Sequence, residues 1–524
     1  MANCQYGFDT NAVAGFQAMV GFLEIYGYKD PKSVSGWNIQ TTPQQLISSF
    51  LNVGTIVGTI LTVPFTNRYG RKPAIWVGCA FAFIACAVQL GTTTLGGLYA
   101  GRILLGVSNG FFVAISNVYT VEVAPPHLRG MVVSFFGLWV NFGSVFGSLC
   151  DDFTKNRLNK LSYQIPLAAL FVVPTMLTFL MFLVPESPRW YLLRNRPEDA
   201  KIALKKLRGD SLSHEMLEEE FIEMQRGIAE EQELASSAMV LDMFKGVDLR
   251  RTIICVGVIV CHAATGLWFI LSFGTFFFQA AGLNQPFEIS LLGSVMGFIG
   301  AVIGIFLTQY VFGRRSMLMI GAMGCGCCML AIAVAYVAGS GTASGGRALL
   351  GFALMFYFFY NGFIGTVSWP SAGEAVSSRL RVYTMSLGTG VNYFFNWLIS
   401  YCSPYFINAN DLNWGPKYGF IWAGANFIAF GTFFIHNTPK IVSSPLFPEL
   451  YVLTCDFFLV FIFFLVPETK GRSLEEIDEM FNNKVSTFKF KDYQCLSSET
   501  ARELAQKGAE AGALQPTIST SERV

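Results

Sequence analysis

The sequence predicts an all-α integral membrane protein built from two bundles of six helices. Hydrophobic residues make up 52% of its 524 residues and charged residues only 14%, whereas a soluble domain carries about 25% charged residues. Many of the charges fall in one central stretch, and apolar runs fill most of the chain on either side of it. Short motifs recur in the two halves, which indicates an internal duplication.

Six apolar runs precede the charged stretch, and most of them reach the ~18–25 residues that cross about 30 Å of hydrocarbon. They lie at about 11–27, 43–65, 73–94, 97–121, 131–150 and 164–184. We expect these runs to form an N-terminal bundle over residues 1–184. Because only eight residues precede Asp9 at the start of the first run, we expect the first helix to lack its cytoplasmic half.

Residues 185–251 are predicted to form a cytoplasmic linker. The stretches "PEDAKIALKKLRGD" and "HEMLEEEFIEMQRGIAEEQE" have the apolar spacing of helices with charged outer faces. We interpret them as amphipathic helices that lie against the cytoplasmic ends of the spans. A binding site for a regulatory partner is the alternative interpretation.

A C-terminal bundle is predicted over residues 252–481. Its apolar runs lie at about 252–280, 289–311, 316–338, 346–372, 383–407 and 418–435, with a further run at 450–466. Residues 436–456 interrupt what reads as the last span, and we interpret them as an insertion or a gene-model error. The polar tail, residues 482–524, is predicted to be disordered and cytoplasmic.

Basic loops predict the orientation, because short loops rich in Lys and Arg stay in the cytoplasm. Five such loops alternate with loops that are poor in basic residues: "NRYGRK" (67–72), "PPHLRG" (125–130), "FGRRS" (312–316), "SSRLRV" (377–382) and "PETKGR" (467–472). We therefore place these loops and the linker in the cytoplasm. The loop "DDFTKNRLNK" (151–160) is placed outside despite its three basic residues.

The two halves of the chain carry matching motifs at corresponding helix ends. The pairs are "VPESPRW" (184–190) with "VPETKGR" (466–472), "GRK" (70–72) with "GRR" (313–315), and "EVAPPHLRG" (122–130) with "EAVSSRLR" (374–381). Paired motifs in two six-span halves are typical of transporters built from parallel repeats. A channel or a receptor has no need of them.

Several function classes are excluded by the composition. The net charge of +1 gives no basic surface for nucleic acid. We find no nucleophile–base pair, phosphate loop or set of metal ligands, and so predict no enzyme, cofactor or metal. The cluster "GCGCC" (324–328) is interpreted as small residues that allow close helix packing.

The ordered set "NRYGRK", "GRILLGVSNG", "YTVEVAPPHLRG", "VPESPRW" and "VPETKGRSLEEIDEMF" resembles the sugar porter family of the major facilitator superfamily, and the fungal members in particular. The resemblance covers about residues 5–482. It implies the major facilitator fold, with 12 transmembrane helices and a solute site at mid-membrane between the bundles. It further implies alternating access in a monomer of the plasma membrane, with a small solute, H⁺ and the lipid bilayer as partners.

Charged residues at the cytoplasmic helix ends are predicted to form a gate. Arginines there can pair with acids and with helix carboxyl ends, and so link the bundles when that side closes. Helix capping alone is the alternative. The residues concerned are Arg68, Arg71, Glu122, Arg129, Glu186, Arg189, Arg314, Arg315, Glu374, Arg379, Arg381 and Glu468. Asn67 and Tyr310 replace the acid that opens the family's "DRxGRR" motif, which weakens the gate there.

Asp9 and Arg102 are predicted to couple transport to protons. A charge inside the membrane costs about 2.5–3.5 kcal/mol even on the lenient insertion scale, so such residues usually pair. An Asp beside an Arg stays ionised, and loosening the pair favours protonation. The resemblance implies this role, because proton-coupled sugar porters carry an Asp and an Arg at matching positions. A merely structural pair is the alternative.

The solute site departs from the family's hexose pattern in the seventh span, "CHAATGLWFILSFGTFFFQ" (261–279). His262 takes the place of a glutamine, Trp268 of an asparagine and Ser272 of a tyrosine, and Gly137 takes the place of an amide in the fifth span. The residues expected at the site are His262, Thr265, Gly266, Trp268, Ser272, Trp369, Asn392, Tyr393, Asn396 and Gly137. Packing is the alternative role for Trp268, and for His262 it is a buried donor bonded to a carbonyl.

The leading functional interpretation is a secondary active transporter of a sugar or sugar-like solute, driven by proton symport. Sugar sites replace water with amide and hydroxyl side chains, and this chain has lost amides at the matching positions. The runner-up is therefore a porter for a less hydroxylated solute, such as an organic acid, a polyol acid or a secondary metabolite. A non-transporting nutrient sensor is the third interpretation.

Overall fold

The computed structural model is almost entirely helical. It describes residues 1–31, 36–125, 129–209, 214–236, 239–280, 285–339, 342–377, 379–408, 411–428, 465–470, 472, 474–483, 485–490, 493 and 495. The predicted insertion at 436–456 lies outside these residues, and so does most of the last apolar run.

Within its described residues, the N-terminal bundle contains eight helices and a short hairpin. The helices are α1 Ala2–Phe16, α2 Val20–Tyr26, α3 Thr41–Tyr69, α4 Arg71–Gly91, α5 Leu95–Val123, α6 Arg129–Thr154, α7 Leu161–Ala169 and α8 Val172–Leu183. The hairpin pairs β1 (Tyr28–Lys29) antiparallel with β2 (Trp37–Asn38). Tyr26 anchors this region, since its hydroxyl donates to the carbonyl of Thr92 at 3.0 Å.

The linker forms three helices, α9 Pro188–Leu193, α10 Pro197–Arg208 and α11 His214–Ser236. An apolar core that includes Leu204 and Phe221 joins α10 to α11. Arg208 pairs with Glu220, its Nε 3.0 Å from Oε2, and its Nη1 donates to the carbonyl of Val123 at 3.0 Å. The linker hairpin is therefore fixed to the end of α5.

The C-terminal bundle repeats the helical pattern, with π-helical turns at 307–311 and 360–365. Its helices are α12 Gly246–Ala263, α13 Leu267–Ala280, α14 Pro286–Phe306, α15 Arg314–Ala338, α16 Ala343–Phe359, α17 Thr366–Ala375, α18 Arg381–Ile407, α19 Gly419–Ile428 and α20 Leu474–Asn482. Short 3-10 helices lie at 240–244, 415–418 and 487–489.

Eight helical segments within the described residues are long and apolar enough to cross a membrane. Their outer surfaces expose large apolar side chains, among them Ile60, Phe179 and Leu183, at 65%, 68% and 73% of their area. Exposed apolar surface on this scale fits a lipid environment and not water. The chain is therefore a multi-pass membrane protein.

Corresponding helix pairs in the two bundles approach closely through glycine. A Cβ added to Gly54 of α3 would lie 2.2 Å from a carbonyl oxygen of α5, and one added to Gly304 of α14 would lie 2.0 Å from the carbonyl of Gly362. Contacts of this kind require small residues at the crossing. The corresponding helix pairs therefore both cross at small residues.

The seventh apolar run is not one continuous helix but breaks between α12 and α13. Gly266 adopts a φ of +89°, and a Cβ there would lie 2.7 Å from the Trp422 ring. The Asn426 amide donates to the freed carbonyl of Thr265 at 3.0 Å. A broken helix at membrane depth is tolerated when protein groups satisfy its backbone in this way.

Disorder of the tail stays a prediction, although some of its first residues pack against the C-terminal bundle. Phe490 and Cys495 are fully buried, and the Phe490 ring lies 5.2 Å from that of Phe481. Arg250 of α12 donates to the Thr487 hydroxyl at 2.9 Å. Aromatic side chains and an arginine hold these described residues against the C-terminal bundle. The structure does not describe residues 496–524.

Candidate solute and proton site

A buried ion pair joins α1 to α5. Arg102 Nη1 lies 2.6 Å from Asp9 Oδ1, and the two side chains are 1% and 0% exposed. Arg102 Nε also donates to the carbonyl of Ile47 on α3, at 3.2 Å. Asp9 Oδ2 has no hydrogen-bond partner among the described residues. The two predicted proton-coupling residues are therefore in contact and shielded from solvent.

A cavity lies beside this pair, between the two bundles. Its lining residues are Thr10, Val13, Ser48, Leu51, Asn52 and Arg102 from the N-terminal bundle, and Trp268, Ser272 and Asn396 from the C-terminal bundle. A cavity shared between bundles can change its exposure when the bundles move relative to each other. Three of the predicted solute residues, Trp268, Ser272 and Asn396, meet there.

His262 lies in an aromatic cluster next to Trp268. Its ring stacks on Tyr360, with centroids 5.4 Å apart, and it meets Trp268 and Trp369 edge-on at 6.4 and 6.2 Å. The Tyr360 hydroxyl lies 2.8 Å from Nδ1 and 3.0 Å from Nε2. The partner of His262 is therefore a phenol, where the packing interpretation proposed a carbonyl. Tyr6 of α1 meets Trp268 from the other bundle at 6.4 Å.

The other predicted solute residues have different surroundings. The Thr265 hydroxyl donates to the carbonyl of His262 at 3.0 Å, and Gly266 forms the helix break, so both shape the backbone here. Asn392 and Tyr393 are buried, and Asn392 Oδ1 has no partner among the described residues. Around Gly137, a Cβ would meet no described atom within 4 Å.

The sequence interpretation missed several residues of the site. Tyr6, Thr10, Ser48 and Asn52 line the cavity or contact Trp268, and Tyr360 holds His262. Asn52 and Ser48 are polar residues within an apolar run, which is a usable signal. Tyr360 gives no such signal, because one aromatic residue among many in "FYFFYNGF" reads as packing.

Charged residues from the predicted gate pair within each bundle. Arg71 makes two bonds to Glu122, at 3.0 and 2.8 Å, and Arg314 makes two longer ones to Glu374, at 3.4 and 3.3 Å. We call the end of the bundles where these pairs lie the basic end. Pairing between the bundles at this end stays a prediction.

The acids of the repeated "PE" motif cap helices at the basic end. The Glu186 carboxylate accepts from the backbone N–H groups of Arg71 and Lys72, at 3.1 and 3.0 Å. Glu468 accepts in the same way from Arg314 and Arg315, at 2.8 and 3.2 Å. A carboxylate at a helix amino end satisfies free N–H groups and the helix dipole. The duplicated motif therefore has a duplicated structural role.

The remaining gate residues have individual surroundings. Arg379 pairs with Asp248 at 3.1 Å, and Arg68 lies over the ring of the neighbouring Tyr69 at 5.5 Å. Arg381 leaves Nε and Nη2 without partners among the described residues. Arg189 lies at the start of α9, and the side chain of Arg129 lies outside the described residues.

Direct hydrogen bonds between the bundles lie towards the opposite end. Asn408 of the C-terminal bundle donates to Thr41 and Gln44 of α3 at 2.9 and 3.0 Å, and the Thr41 hydroxyl also bonds Asp411. A second set joins α6 to α14, and it includes the hydroxyls of Ser148 and Ser294 at 2.9 Å and the pair Lys155–Glu288 at 2.9 Å. The two bundles are therefore in direct polar contact at this end.

Comparison with known proteins identifies the family of this chain. The profile of the "Sugar (and other) transporter" family matches residues 1–481. The chain belongs to this family. The predicted resemblance is thus confirmed, and so is the prediction that the chain is not an enzyme.

Two curated relatives show the range of functions in the sugar transporter family. A probable glucose transporter of Neurospora crassa, rco-3, is 27% identical over 522 residues, which cover 98% of this chain and 82% of the relative. The high glucose sensor RGT2 of Saccharomyces cerevisiae is 27% identical over 450 residues, which cover 84% of this chain and 55% of the sensor. Family membership alone therefore does not separate a transporter from a sensor.

A solved structure confirms the fold of this sugar transporter family member. The inward open conformation of the xylose transporter XylE from E. coli superposes with a TM-score of 0.69 at 20% identity, covering 91% of this chain and 97% of XylE. The chain thus has the major facilitator fold, as the sequence predicts.

Proposed function

We propose that this chain is a secondary active transporter that moves a sugar or sugar-like solute together with a proton. The observation that carries the proposal is the buried Asp9–Arg102 pair at the wall of a cavity between the bundles. A carboxylate inside the membrane that is paired with an arginine of the cavity wall can take up and release a proton close to the solute. Intramembrane ionisable residues often mark such pathways.

The pair offers a simple coupling mechanism. While Asp9 is ionised, Arg102 is held by it and by the carbonyl of Ile47 on α3. Protonation of Asp9 removes the charge that attracts the guanidinium, so α1, α3 and α5 are no longer held by one arginine. These helices carry cavity residues, among them Thr10, Ser48 and Asn52. The state of the proton site thereby affects the shape of the solute site.

The distribution of contacts supports alternating access. Hydrogen bonds join the bundles at the end opposite the basic end, and the arginine pairs at the basic end lie within single bundles. This pattern fits a state in which the opposite end is closed. We propose that opening breaks the Asn408 and Lys155 contacts, while arginines at the basic end form new contacts across the bundles. Switching elements of this kind need contacts that break at low cost.

The proposed orientation places the basic end and the C-terminus in the cytoplasm, since loops rich in Lys and Arg remain there. The closed end then faces outwards, at the plasma membrane. A monomer contains the whole proposed pathway, because the cavity lies between the two bundles of one chain.

An experiment can distinguish the proposed function from two alternatives. The loss of amides at the family's solute positions favours a less hydroxylated solute. The similarity to a glucose sensor makes a receptor that does not transport the second alternative. Uptake separates these functions. Cells that lack their own hexose carriers would express the full chain and receive labelled D-glucose or a labelled 2,6-dideoxyhexose. Acids and polyols would compete with each label.

Proton coupling is tested in the same cells with Asp9→Asn. We expect wild-type uptake to rise as the external medium becomes acidic, and Asp9→Asn to lose accumulation against a gradient. Asp199→Asn is the matched control, because Asp199 is a half-exposed linker residue whose ion pair among the described residues is the local one with Arg196, at 2.7 Å. Uphill, pH-dependent uptake by Asp9→Asn would contradict the proposal, and surface expression without any uptake would favour the sensor.

A further inference from the structure

We propose that the cavity selects a neutral, ring-shaped solute that has fewer hydroxyl groups than a hexose and packs one apolar face against Trp268. The inference rests on the proposed transport function and names the solute class of the same site. Hexoses are then poor ligands of this chain, although the probable glucose transporter is a relative. Three observations support it: the hydrogen-bond donors of the cavity wall, the aromatic side chains around Trp268, and the charge of the cavity.

Two polar side chains on the cavity wall, Thr10 and Asn52, already use their donors within the protein. The Thr10 hydroxyl donates to its own helix, at the carbonyls of Tyr6 and Gly7, 3.0 and 3.1 Å away. The Asn52 amide donates to the carbonyl of Ser48 at 3.5 Å and to the Ser400 hydroxyl at 3.2 Å. A sugar that loses its water needs such groups to be free.

The chain of polar contacts continues across the bundle interface. The Ser400 hydroxyl donates in turn to Asn396 Oδ1 at 3.4 Å. Asn396 is the only carboxamide that the C-terminal bundle contributes to the described cavity wall, and its oxygen is already in use. A sugar hydroxyl that accepts from Thr10 or Asn52 would therefore displace a bond inside the protein, which removes most of its net gain.

Trp268 is the largest side chain on the cavity wall, and it stands at the family's asparagine position. It is 7% exposed, and its Nε1 has no hydrogen-bond partner among the described residues. A buried donor without a partner costs about 1–3 kcal/mol. A ligand that packs on the indole and offers one acceptor atom at its edge would remove that cost.

His262 and Tyr360 support this wall and do not supply sugar contacts. One phenol hydroxyl lies within hydrogen-bond distance of both imidazole nitrogens, at 2.8 and 3.0 Å. The imidazole meets the Trp268 indole edge-on, and Tyr6 meets it from the other bundle. An amide at position 262 could reach out to a hydroxyl, whereas the paired imidazole positions the indole.

The charge of the cavity favours a neutral solute. Arg102 is the only cation among the described residues that line it, and Asp9 holds that cation at 2.6 Å. A carboxylate would have to compete with Asp9 for the same guanidinium. Organic acids are therefore excluded from the proposed class, and neutral deoxy sugars or similar cyclic compounds remain.

Binding to the purified full-length protein in detergent tests the proposal without transport. The probes are D-glucose, the neutral 2,6-dideoxyhexose digitoxose, and quinate as a cyclic carboxylate, each titrated against the thermal unfolding temperature. We expect digitoxose to bind with an apparent affinity at least about tenfold higher than that of either other probe. Trp268→Asn, which restores the family's amide, should reverse the order of D-glucose and digitoxose.

Matched variants separate specificity from folding. Trp397→Asn removes an indole that stacks on Tyr401 of the same helix at 5.8 Å, away from the cavity, and should keep the wild-type order. His262→Gln is the second specificity variant, should Trp268→Asn fail to elute as a single species. D-Glucose or quinate as the preferred wild-type ligand would overturn the proposal, as would failure of both variants to improve D-glucose binding. None of these results depends on proton coupling. The proposed transport function is therefore tested separately, by the uptake experiments.

Discussion

Arg102 Nη1 lies 2.6 Å from Asp9 Oδ1, inside the membrane region, with neither side chain more than 1% exposed. A buried pair of this kind is expensive to break, since removal of one partner leaves the other charge without compensation. Arg102 of this pair also lines the cavity between the bundles. A change in the protonation of Asp9 would therefore take place close to the bound solute.

Removing the arginine alone should destabilise the protein more than removing the pair. We expect Arg102→Gln to cost about 3–5 kcal/mol, because it leaves the Asp9 carboxylate buried and unpaired. The double variant Asp9→Asn/Arg102→Gln should recover most of that loss and still fail to couple uptake to protons. Thermal unfolding of the purified proteins measures the first effect. A double variant no more stable than Arg102→Gln would show that the pair is not the source of the loss.

The helix break at Gly266 should tolerate no side chain. Its φ of +89° disfavours any L residue, and a Cβ would lie 2.7 Å from the Trp422 ring. We expect Gly266→Ala to destabilise the protein by about 1–3 kcal/mol. Gly351→Ala on α16 is the control, because a Cβ there meets no described atom within 4 Å. Equal unfolding temperatures for the two variants would refute the argument.

The two arginines of the basic end should differ in importance. The side chains of Arg71 and Glu122 are 7% and 8% exposed and lie 2.8 Å apart, whereas those of Arg314 and Glu374 are 23% and 26% exposed and lie 3.3 Å apart. Shielded pairs with two short bonds are stronger than exposed ones. We expect Arg71→Ala to lower stability by about 3 kcal/mol and Arg314→Ala by about 1 kcal/mol or less. The reverse order in thermal unfolding would contradict this interpretation.

Loss of the Asn408 contacts should loosen the closed end. Asn408→Ala removes hydrogen bonds to Thr41 and Gln44 that join the bundles. At about 1 kcal/mol for each bond, the closed arrangement should become roughly thirtyfold less favoured. Faster amide hydrogen exchange in residues 41–52 and 400–408 would report the opening. Asn156→Ala, in the exposed loop after α6, is the control and should leave exchange unchanged.

Much of the fold follows from the sequence, because the membrane allows few solutions. Apolar runs at 43–65 and 73–94 correspond to α3 and α4, and only helices satisfy their own backbone in lipid. The break at Gly266 could not be predicted, since Trp422 and Asn426 from a distant part of the chain determine it. The contacts of the described residues after 482 could not be predicted for the same reason, because they are made with Arg250 and Phe481.

The candidate site is only partly readable from the sequence. Asp9 and Arg102 stand out because each is an isolated charge in an apolar run, and such charges need a partner. Tyr360 does not stand out, because its contact with His262 depends on the packing of α12 against a π-helical turn. Three-dimensional contacts therefore determine which aromatic residues belong to the site and which only pack.

Proton movement during solute entry tests directly whether this chain couples solute transport to protons through Asp9. Cells expressing the chain would receive unlabelled D-glucose or digitoxose in a weakly buffered medium while the external pH is recorded. The account predicts that at least one solute makes the medium alkaline with the wild type and with Asp199→Asn, and that Asp9→Asn abolishes the signal. An Asp9→Asn protein that still imports solute and alkalinises the medium as the wild type does would contradict the account.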